Sequence, residues 1–162
     1  MSEIIPFYSH TTTKYKCFSQ FYPSKFTIDA ITYNCAEQWM MASKARTFIG
    51  NDAILANILL ADNPVAIKSY GRAVKNYDDN IWTNIRYDIV VKGNYAKFSQ
   101  NKELKQLLLD TKDAILVEAS KYDKVWGVGL DMHNVDIKDQ TKWKGLNLLG
   151  KALMQVRNDI SK

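Results

Sequence analysis

The spacing of hydrophobic positions changes along the chain. Residues 1–33 carry them in short aromatic and β-branched runs: Ile4-Ile5-Pro6-Phe7-Tyr8, residues 15–18, Phe26-Thr27-Ile28 and Ile31-Thr32-Tyr33. Such runs predict strands. The last two, parted by Asp29-Ala30, predict a hairpin, although Ala30 is a weak residue where a tight turn favours glycine. From residue 34 the pattern turns helical. Asn34 reads as an N-cap with Glu37 three residues on, placed to reach back to the cap's N–H in a capping box. Asn51-Asp52 predict the start of a helix over residues 53–60, and Asn63 followed by Pro64 predicts another. Asp78-Asp79-Asn80 introduce a long amphipathic segment over residues 81–99, with Ile81, Trp82, Ile85, Ile89 and Tyr95 toward the core and Gly93 as a point of interruption.

Asn101 caps a helix over residues 102–110, residues 114–119 read as a buried strand, and a final helix runs over residues 147–160 with Leu148, Leu149, Leu153 and Val156 on its core face. Between these last two elements, residues 120–129 form a loop with two glycines beside Trp126, a kind of loop that commonly holds ligands. Residues 130–144 are polar and irregular and read as a candidate lid. The elements predict an α+β fold: a single domain over residues 1–162, mostly helical, in which a small antiparallel sheet of the N-terminal strands and Ile115–Glu118 packs against five or six helices.

Composition narrows the class. A chain of 162 residues with 46% hydrophobic content buries a core without a cofactor or a staple. Cys17 and Cys35 form neither a metal spacing nor a disulfide framework, which suits ordinary thiols in a reducing, cytoplasmic setting. No apolar run is long enough to span a bilayer, and the N-terminal residues lack the zones of a signal peptide, so no membrane partner is expected. The net charge of +5 is scattered, with four arginines and no block of five like charges. It favours an anionic partner, either nucleic acid or a phosphorylated small molecule; no arginine-rich helix, zinc spacing or aromatic RNA-binding signature supports sequence readout. His10 and His133 stand too far apart to argue a metal or a relay. No pattern in the sequence specifies an oligomeric state.

Several residues suggest chemistry. Glu37, Met41 and Lys44 fall at i, i+4 and i+7 of the first helix, which places the acid and amine Cα atoms roughly 10 Å apart on one face. Helical side chains lean toward the N-terminus, so the lysine tilts back toward the glutamate. Either a small substrate sits between them, or Glu37 caps the helix and Lys44 ends a solvated face. Lys68 and Arg72, one turn apart, either share an anion or form a solvated cationic face. Gly71 between them costs a helix about 1 kcal/mol against alanine, which implies close approach of a backbone or a ligand. Residues 17–23 are too polar for a strand and too aromatic for an idle loop; they form a core anchor or a wall that stacks a flat ring. Gly145-Leu146-Asn147, at the start of the last helix, offers backbone N–H groups to a phosphate.

Taken together, Phe18-Ser19-Gln20-Phe21-Tyr22-Pro23, Glu37 with Lys44, Gly71-Arg72, Trp82, Leu116-Val117-Glu118-Ala119, Trp126-Gly127-Val128-Gly129 and Gly145-Leu146-Asn147-Leu148-Leu149-Gly150 resemble the YbiA-like family, also called NADAR, over nearly the whole chain. The resemblance implies a small α+β N-glycosidase that cleaves the bond between ribose C1′ and an amine nitrogen in the first two phosphorylated intermediates of riboflavin biosynthesis. It leaves two alternatives: removal of ADP-ribose from guanine, free or on nucleic acid, and a non-catalytic ADP-ribose or nucleotide-binding module. It implies Glu37 as the acid/base carboxylate, Lys44 as the amine that captures the sugar, and Trp82 and Asp123 at the active site. Phe18, Ser19, Gln20, Phe21, Arg72, Trp126, Gly127, Gly129 and Asn147 would line the pocket. A carboxylate and an unprotonated lysine suit cleavage of a ribosyl C–N bond, and that chemistry calls for no metal or cofactor. The chain has Gln20 where the family usually has Asn, Gln38 where it often has His, and a longer segment over residues 131–144; these differences bear on substrate choice.

Overall fold

The computed structural model describes residues 2–11 and 14–162. In chain order they form strand β1 (Ile4–Phe7), a 3-10 turn (Lys16–Phe18), strands β2 (Phe26–Ile28) and β3 (Ile31–Tyr33), then helices α1 (Ala36–Thr47), α2 (Asp52–Leu60), α3 (Pro64–Arg72), α4 (Asp79–Ser99) and α5 (Lys102–Asp110). Strand β4 (Ile115–Glu118), a second 3-10 turn (Gln140–Lys142) and helix α6 (Leu148–Ile160) complete the chain. The class is α+β and mostly helical, with a small antiparallel sheet made by the β2–β3 hairpin. The chain clusters into two compact units, Pro23–Asn101 and a second made of Met1–Tyr22 with Lys102–Lys162.

In the unit Pro23–Asn101 the hairpin turns at Asp29 and Ala30, whose φ values are 51° and 66°. Both residues are left-handed, as the right-handed twist of a two-residue hairpin demands, so Ala30 adopts the conformation without glycine's freedom. Gln100 closes the outer edge of β2 by accepting the Thr27 N–H at 2.8 Å and donating to the Thr27 carbonyl at 2.9 Å. Helix α1 packs against α2, α3 and α4. Helix α3 starts as its sequence predicts, with Pro64 first and Asn63 Oδ1 accepting the Val65 N–H at 2.9 Å. Asp78 caps α4 by accepting from the N–H groups of Asn80 and Ile81. Helix α4 passes through Gly93 without interruption, because the glycine makes room for the Trp39 indole, whose Nε1 donates to the Ile89 carbonyl at 2.7 Å. The expected core face shifts as a result. Ile81 and Tyr95 are exposed, while Trp82, Val90, Gly93, Lys97 and Phe98 are buried.

In the other unit, β1 and β4 pair in parallel, with Ile4 opposite Ile115 and Phe7 opposite Glu118. Strand β4 therefore does not join the antiparallel sheet, as the sequence reading expected; its nearly continuous apolar run is the pattern of a parallel strand buried on both faces. Residues 15–18 are not a strand either. They hold the 3-10 turn that packs Phe18 edge-on to Phe7 at 5.5 Å and against Tyr15 at 5.2 Å. Residues 130–144 are packed down rather than free as a lid: Leu130 and Ile137 join Val117, Ala119 and Val128 in one apolar cluster, and Trp143 packs on it while donating Nε1–H to the Ile137 carbonyl.

Asn147 joins the remaining parts of this unit. It is buried, left-handed at φ 53°, and precedes α6. Its Nδ2 donates to the Leu116 carbonyl at 2.9 Å and its Oδ1 accepts the Glu118 N–H at 3.0 Å, so one side chain continues β4's hydrogen bonding beyond its partner strand. Replacing it with alanine leaves two buried backbone groups unsatisfied. Asn147→Ala is expected to lower unfolding free energy by about 2–3 kcal/mol, measured by urea denaturation.

Candidate active site

The site is built outward from α1. The cap of this helix is Cys35, not Asn34, and its side chain makes no capping bond. The reciprocal bond of the expected capping box is made one position later, by Gln38, whose Oε1 accepts the Asn34 N–H at 2.7 Å. The Gln38 amide also donates to the Ile58 and Ala61 carbonyls, which closes the C-terminal end of α2. Gln38 thereby takes the structural role that the sequence suggested for Glu37. Glu37 stands on the neighbouring face, 4% exposed, in line with Met41 and Lys44.

Lys44 is half-buried rather than solvated. Its Nζ lies 4.8 Å from the centre of the Tyr77 ring and 6.0 Å from that of Trp82, within range of attraction to both π faces. Burial holds its pKa below the ordinary lysine value; the Glu37 carboxylate opposes that shift and the Arg72 guanidinium adds to it. Trp82 is buried one turn into α4, and the Asp78 cap fixes where that turn begins. Tyr77 is positioned by the loop before it. Asn51 Nδ2 donates to the Phe48 and Lys75 carbonyls at 3.0 and 2.9 Å, and Asn51 Oδ1 accepts the Lys75 N–H at 2.7 Å, tying the chain after α1 to the chain after α3. The Tyr77 hydroxyl donates to Asp79.

Gly71 is explained by the same helix. A Cβ there would collide with the Met41 side chain, so the glycine admits a methionine rather than a ligand. Arg72 ends α3, exposed, and its charge reaches Lys44; Lys68 is exposed one turn earlier. The structure thus brings Glu37, Lys44, Trp82 and Arg72 into one neighbourhood within this unit. Lys97, fully buried on α4, was not singled out in the sequence; its charge acts on the Cys35 thiol, which burial nevertheless pushes up to about 11 and leaves unreactive.

The other expected site residues lie in the second unit. Phe18 is a core anchor. Ser19 Oγ accepts the Phe21 N–H, Phe21 meets the His10 ring at 5.8 Å, and Gln20 is partly buried between them in sequence. Asp123 shapes its loop: Oδ1 accepts from the N–H groups of Val125 and Trp126 at 2.9 and 2.8 Å. A Cβ on Gly127 would meet the Asp123 and Glu118 carbonyls at 2.8 and 2.9 Å, and Gly129, at φ 71°, lines an open pocket of about 320 Å³ with Lys121, His133 and Lys144. The expected phosphate cradle before α6 is already filled. The N–H groups of Leu146, Asn147, Leu148 and Leu149 donate to the carbonyls of Lys124, Gly127, Val125 and Trp126, so they are not available to an anion.

Three residues near these sites escaped the sequence reading as candidates: Tyr77, Lys97 and Glu118. Tyr77 and Lys97 carry no local signal, because a tyrosine before an acidic cap and a lysine late in a helix are both ordinary surface patterns. Glu118 did carry one, an acid ending an apolar strand run. Among the described residues, no group of three or more His, Cys, Asp or Glu side chains is arranged to hold a metal ion, and no helix is long and apolar enough to cross a membrane.

A family model described as the NADAR domain matches residues 6–161. The chain is 41% identical over 147 residues to N-glycosidase R617 of Acanthamoeba polyphaga mimivirus, covering 88% of this chain and 86% of that one. It is 30% identical over 158 residues to N-glycosidase YbiA of Escherichia coli (strain K12), covering 98% and 89%. It is 31% identical over 173 residues to the chloroplastic riboflavin biosynthesis protein PYRR of Zea mays, matching 98% of this chain but 25% of that longer protein. The NMR structure of E. coli YbiA superposes with a TM-score of 0.80 at 30% identity, over 99% of this chain and 87% of that one. A match across nearly every element, from β1 through the last turns of α6, places the chain in the NADAR family.

Proposed function

We propose that the chain is an N-glycosidase that hydrolyses the bond between ribose C1′ and nitrogen in phosphorylated ribosylamine compounds such as the first two intermediates of riboflavin biosynthesis. Its class, a hydrolase of N-glycosyl bonds, is that of relatives matched over most of their length. The riboflavin substrate is supported by the family resemblance and by the name of the maize relative. Removal of ADP-ribose from guanine is the competing substrate class. The family match runs across both compact units, which supports reading residues 1–162 as one domain. Cys17 and Cys35, both buried and in the thiol form, suit the cytoplasm.

The observation that carries the reading is Lys44, an amine half-buried between two aromatic rings with a pKa below the lysine norm and a buried carboxyl on its own helix face. A neutral amine can attack C1′. The C–N bond breaks with its electron pair on the departing nitrogen, which takes a proton passed from the amine through Glu37. The second amine proton goes to the ring oxygen as the sugar opens, leaving an imine on Lys44. Water then adds to C1′ and restores the amine and a free sugar. Arg72 and Lys68, cationic and exposed at the end of α3, are the proposed phosphate contacts. Trp82 is the proposed apolar wall behind the amine. Phe18, Ser19, Gln20, Phe21, Asp123, Trp126, Gly127, Gly129 and Asn147 are carried as site residues on the family motif alone.

A side-by-side product assay on a phosphoribosylamino-pyrimidine and on ADP-ribosylated guanosine tests the substrate. Release of free base from neither overturns the reading. Glu37→Gln preserves shape, and Gln38 rather than Glu37 makes the capping bond, so turnover is expected to fall about 10²-fold or more with little change in melting temperature. Borohydride added during turnover is expected to trap a sugar on Lys44, identified by peptide mass spectrometry, and Lys44→Ala to abolish both adduct and turnover. Because the Lys44 pKa lies below 10.5, the neutral amine fraction grows as pH rises toward that lowered value; kcat should climb with pH and level off before the ordinary lysine range. Arg72→Ala is expected to raise KM more than it lowers kcat, since a phosphate remote from C1′ is bound alike in ground and transition states.

A further inference from the structure

The nearest partner of the Lys44 amine is a ring face. Among the described residues its Nζ makes no hydrogen bond and no ion pair; the Tyr77 ring meets it at 4.8 Å and the Trp82 ring, further off, at 6.0 Å. Several bonds place the tyrosine. Besides the Asn51 bridge, Asn76, directly before Tyr77, is left-handed at φ 59° and its Nδ2 donates to the Ile49 carbonyl at 2.8 Å. That backbone region is disfavoured for residues other than glycine, with asparagine among the more tolerant. Phe48 flanks the Tyr77 ring at 5.4 Å, and the Tyr77 hydroxyl donates to Asp79 Oδ1 at 2.8 Å. Tyr77 is nevertheless 42% exposed, so this anchoring does not serve to build the core. All of these residues lie in the unit Pro23–Asn101, and the arrangement is complete within it.

A ring face carries partial negative charge and attracts a cation, while it offers little to a neutral amine. In the reaction proposed above, Nζ is neutral before it attacks. It becomes cationic as its lone pair bonds to C1′, and stays so until it gives up the proton that passes through Glu37 to the departing nitrogen. A ring face fixed beside Nζ therefore favours the transition state over the neutral amine, as preorganised dipoles aimed at developing charge do. Donation to the Asp79 carboxylate leaves more electron density on the ring and strengthens the effect. Burial, then the bond to Asp79, holds the Tyr77 pKa above the ordinary tyrosine value, so the phenol stays neutral at pH 7. Around the pair, Glu37 of α1 and Arg72 of α3 are the charged groups that act on Lys44; Asp79, Arg86 and Asp78 act on Tyr77, and α2 brings a charge to neither. We infer that Tyr77 is a positioning residue of the proposed reaction, whose ring face steadies Lys44 Nζ and stabilises the positive charge that nitrogen takes on as it bonds to C1′. This rests on the Lys44 reaction proposed above.

The test compares the wild type with Tyr77→Phe, with mono-, di- and trifluorinated phenylalanine introduced at the same position, and with Tyr77→Leu. Fluorine withdraws electron density from the ring face and leaves its shape nearly unchanged, so the series weakens the attraction step by step without removing the ring. Single-turnover cleavage is followed from about pH 6 to pH 10, on whichever of a phosphoribosylamino-pyrimidine and ADP-ribosylated guanosine the wild type accepts. Tyr77→Phe should keep most of the rate. From there through the fluorinated series to Tyr77→Leu, the alkaline plateau should fall by about three- to thirtyfold in all, and the midpoint of the rise should move to lower pH in step. At acid pH the rates should converge, because there the ring stabilises the charged resting amine as much as the charged transition state. If leucine does not fold at this position, the fluorinated series carries the test without it. A ring with a purely structural role would lower the rate equally at every pH or would not follow the number of fluorines. Either result, in a protein whose wild type cleaves its compound and is trapped by borohydride on Lys44, overturns this inference alone. A wild type that cleaves neither compound, or that cleaves without an adduct on Lys44, overturns the proposed reaction and this inference with it.

Discussion

Helix α1 is buried along most of its length, and each buried polar group on it is costly unless protein rather than water satisfies it. That constraint arranges the unit around it. Gln38 answers it by binding the Asn34 N–H and the carbonyls that end α2, and Ser43 by donating back to the Trp39 carbonyl. Trp39 requires the side-chain-free surface at Gly93, and Met41 requires the one at Gly71, so α4 and α3 approach where they do because of α1's residues. Glu37 and Lys44 then share the remaining face, where desolvation acts on both. The low lysine pKa is a consequence of packing, with the nearby Arg72 charge as a smaller contribution.

The parts of this arrangement that were legible in the sequence are those governed by neighbours in the chain. The Asn63-Pro64 start of α3, the Asp78 cap of α4 and the two-residue hairpin at Asp29-Ala30 each depend on a few consecutive residues, and each appears where its signal stood. What failed depends on distant residues. The capping box moved from Glu37 to Gln38 because the helix begins one residue later than Asn34 suggested, and the carbonyls that reward Gln38 come from α2. Strand β4 pairs with β1, more than a hundred residues away, and no periodicity encodes which partner or direction it takes. Gly93 looked like a break because a helix has no local use for glycine; its use is the Trp39 ring.

The candidate site divides in the same way. Spacing along α1 was enough to place Glu37 and Lys44 on one face, but not to say that the face is buried. Tyr77 meets Lys44 only because Asn51 fastens two loops together, a long-range bond invisible in any window of sequence. The N–H groups before α6 looked free for a phosphate because a helix start leaves its first donors unpaired within the helix. The loop that follows β4 supplies four carbonyls to them instead, which converts an apparent anion site into the joint that holds residues 120–129 in shape.

Lys44 and Glu118 are kept where they reduce stability at neutral pH, and the direction follows from their shifts. The Lys44 pKa is depressed from 10.5, so between the lowered value and 10.5 the unfolded chain holds more of that proton and stability rises with pH; below that window the charged amine is a cost to the fold. The Glu118 pKa is raised from 4.5 to about 8, so across that interval the folded chain holds more of the proton and stability falls as pH rises. Near pH 7 both groups oppose folding, from opposite signs of charge. A leucine or methionine of similar size would relieve each penalty, and core positions under selection for stability alone drift toward such residues. A residue that acts against the fold in this way fits a role toward a ligand better than a role in the chain's stability, and this is the sense in which the proposed function uses Lys44.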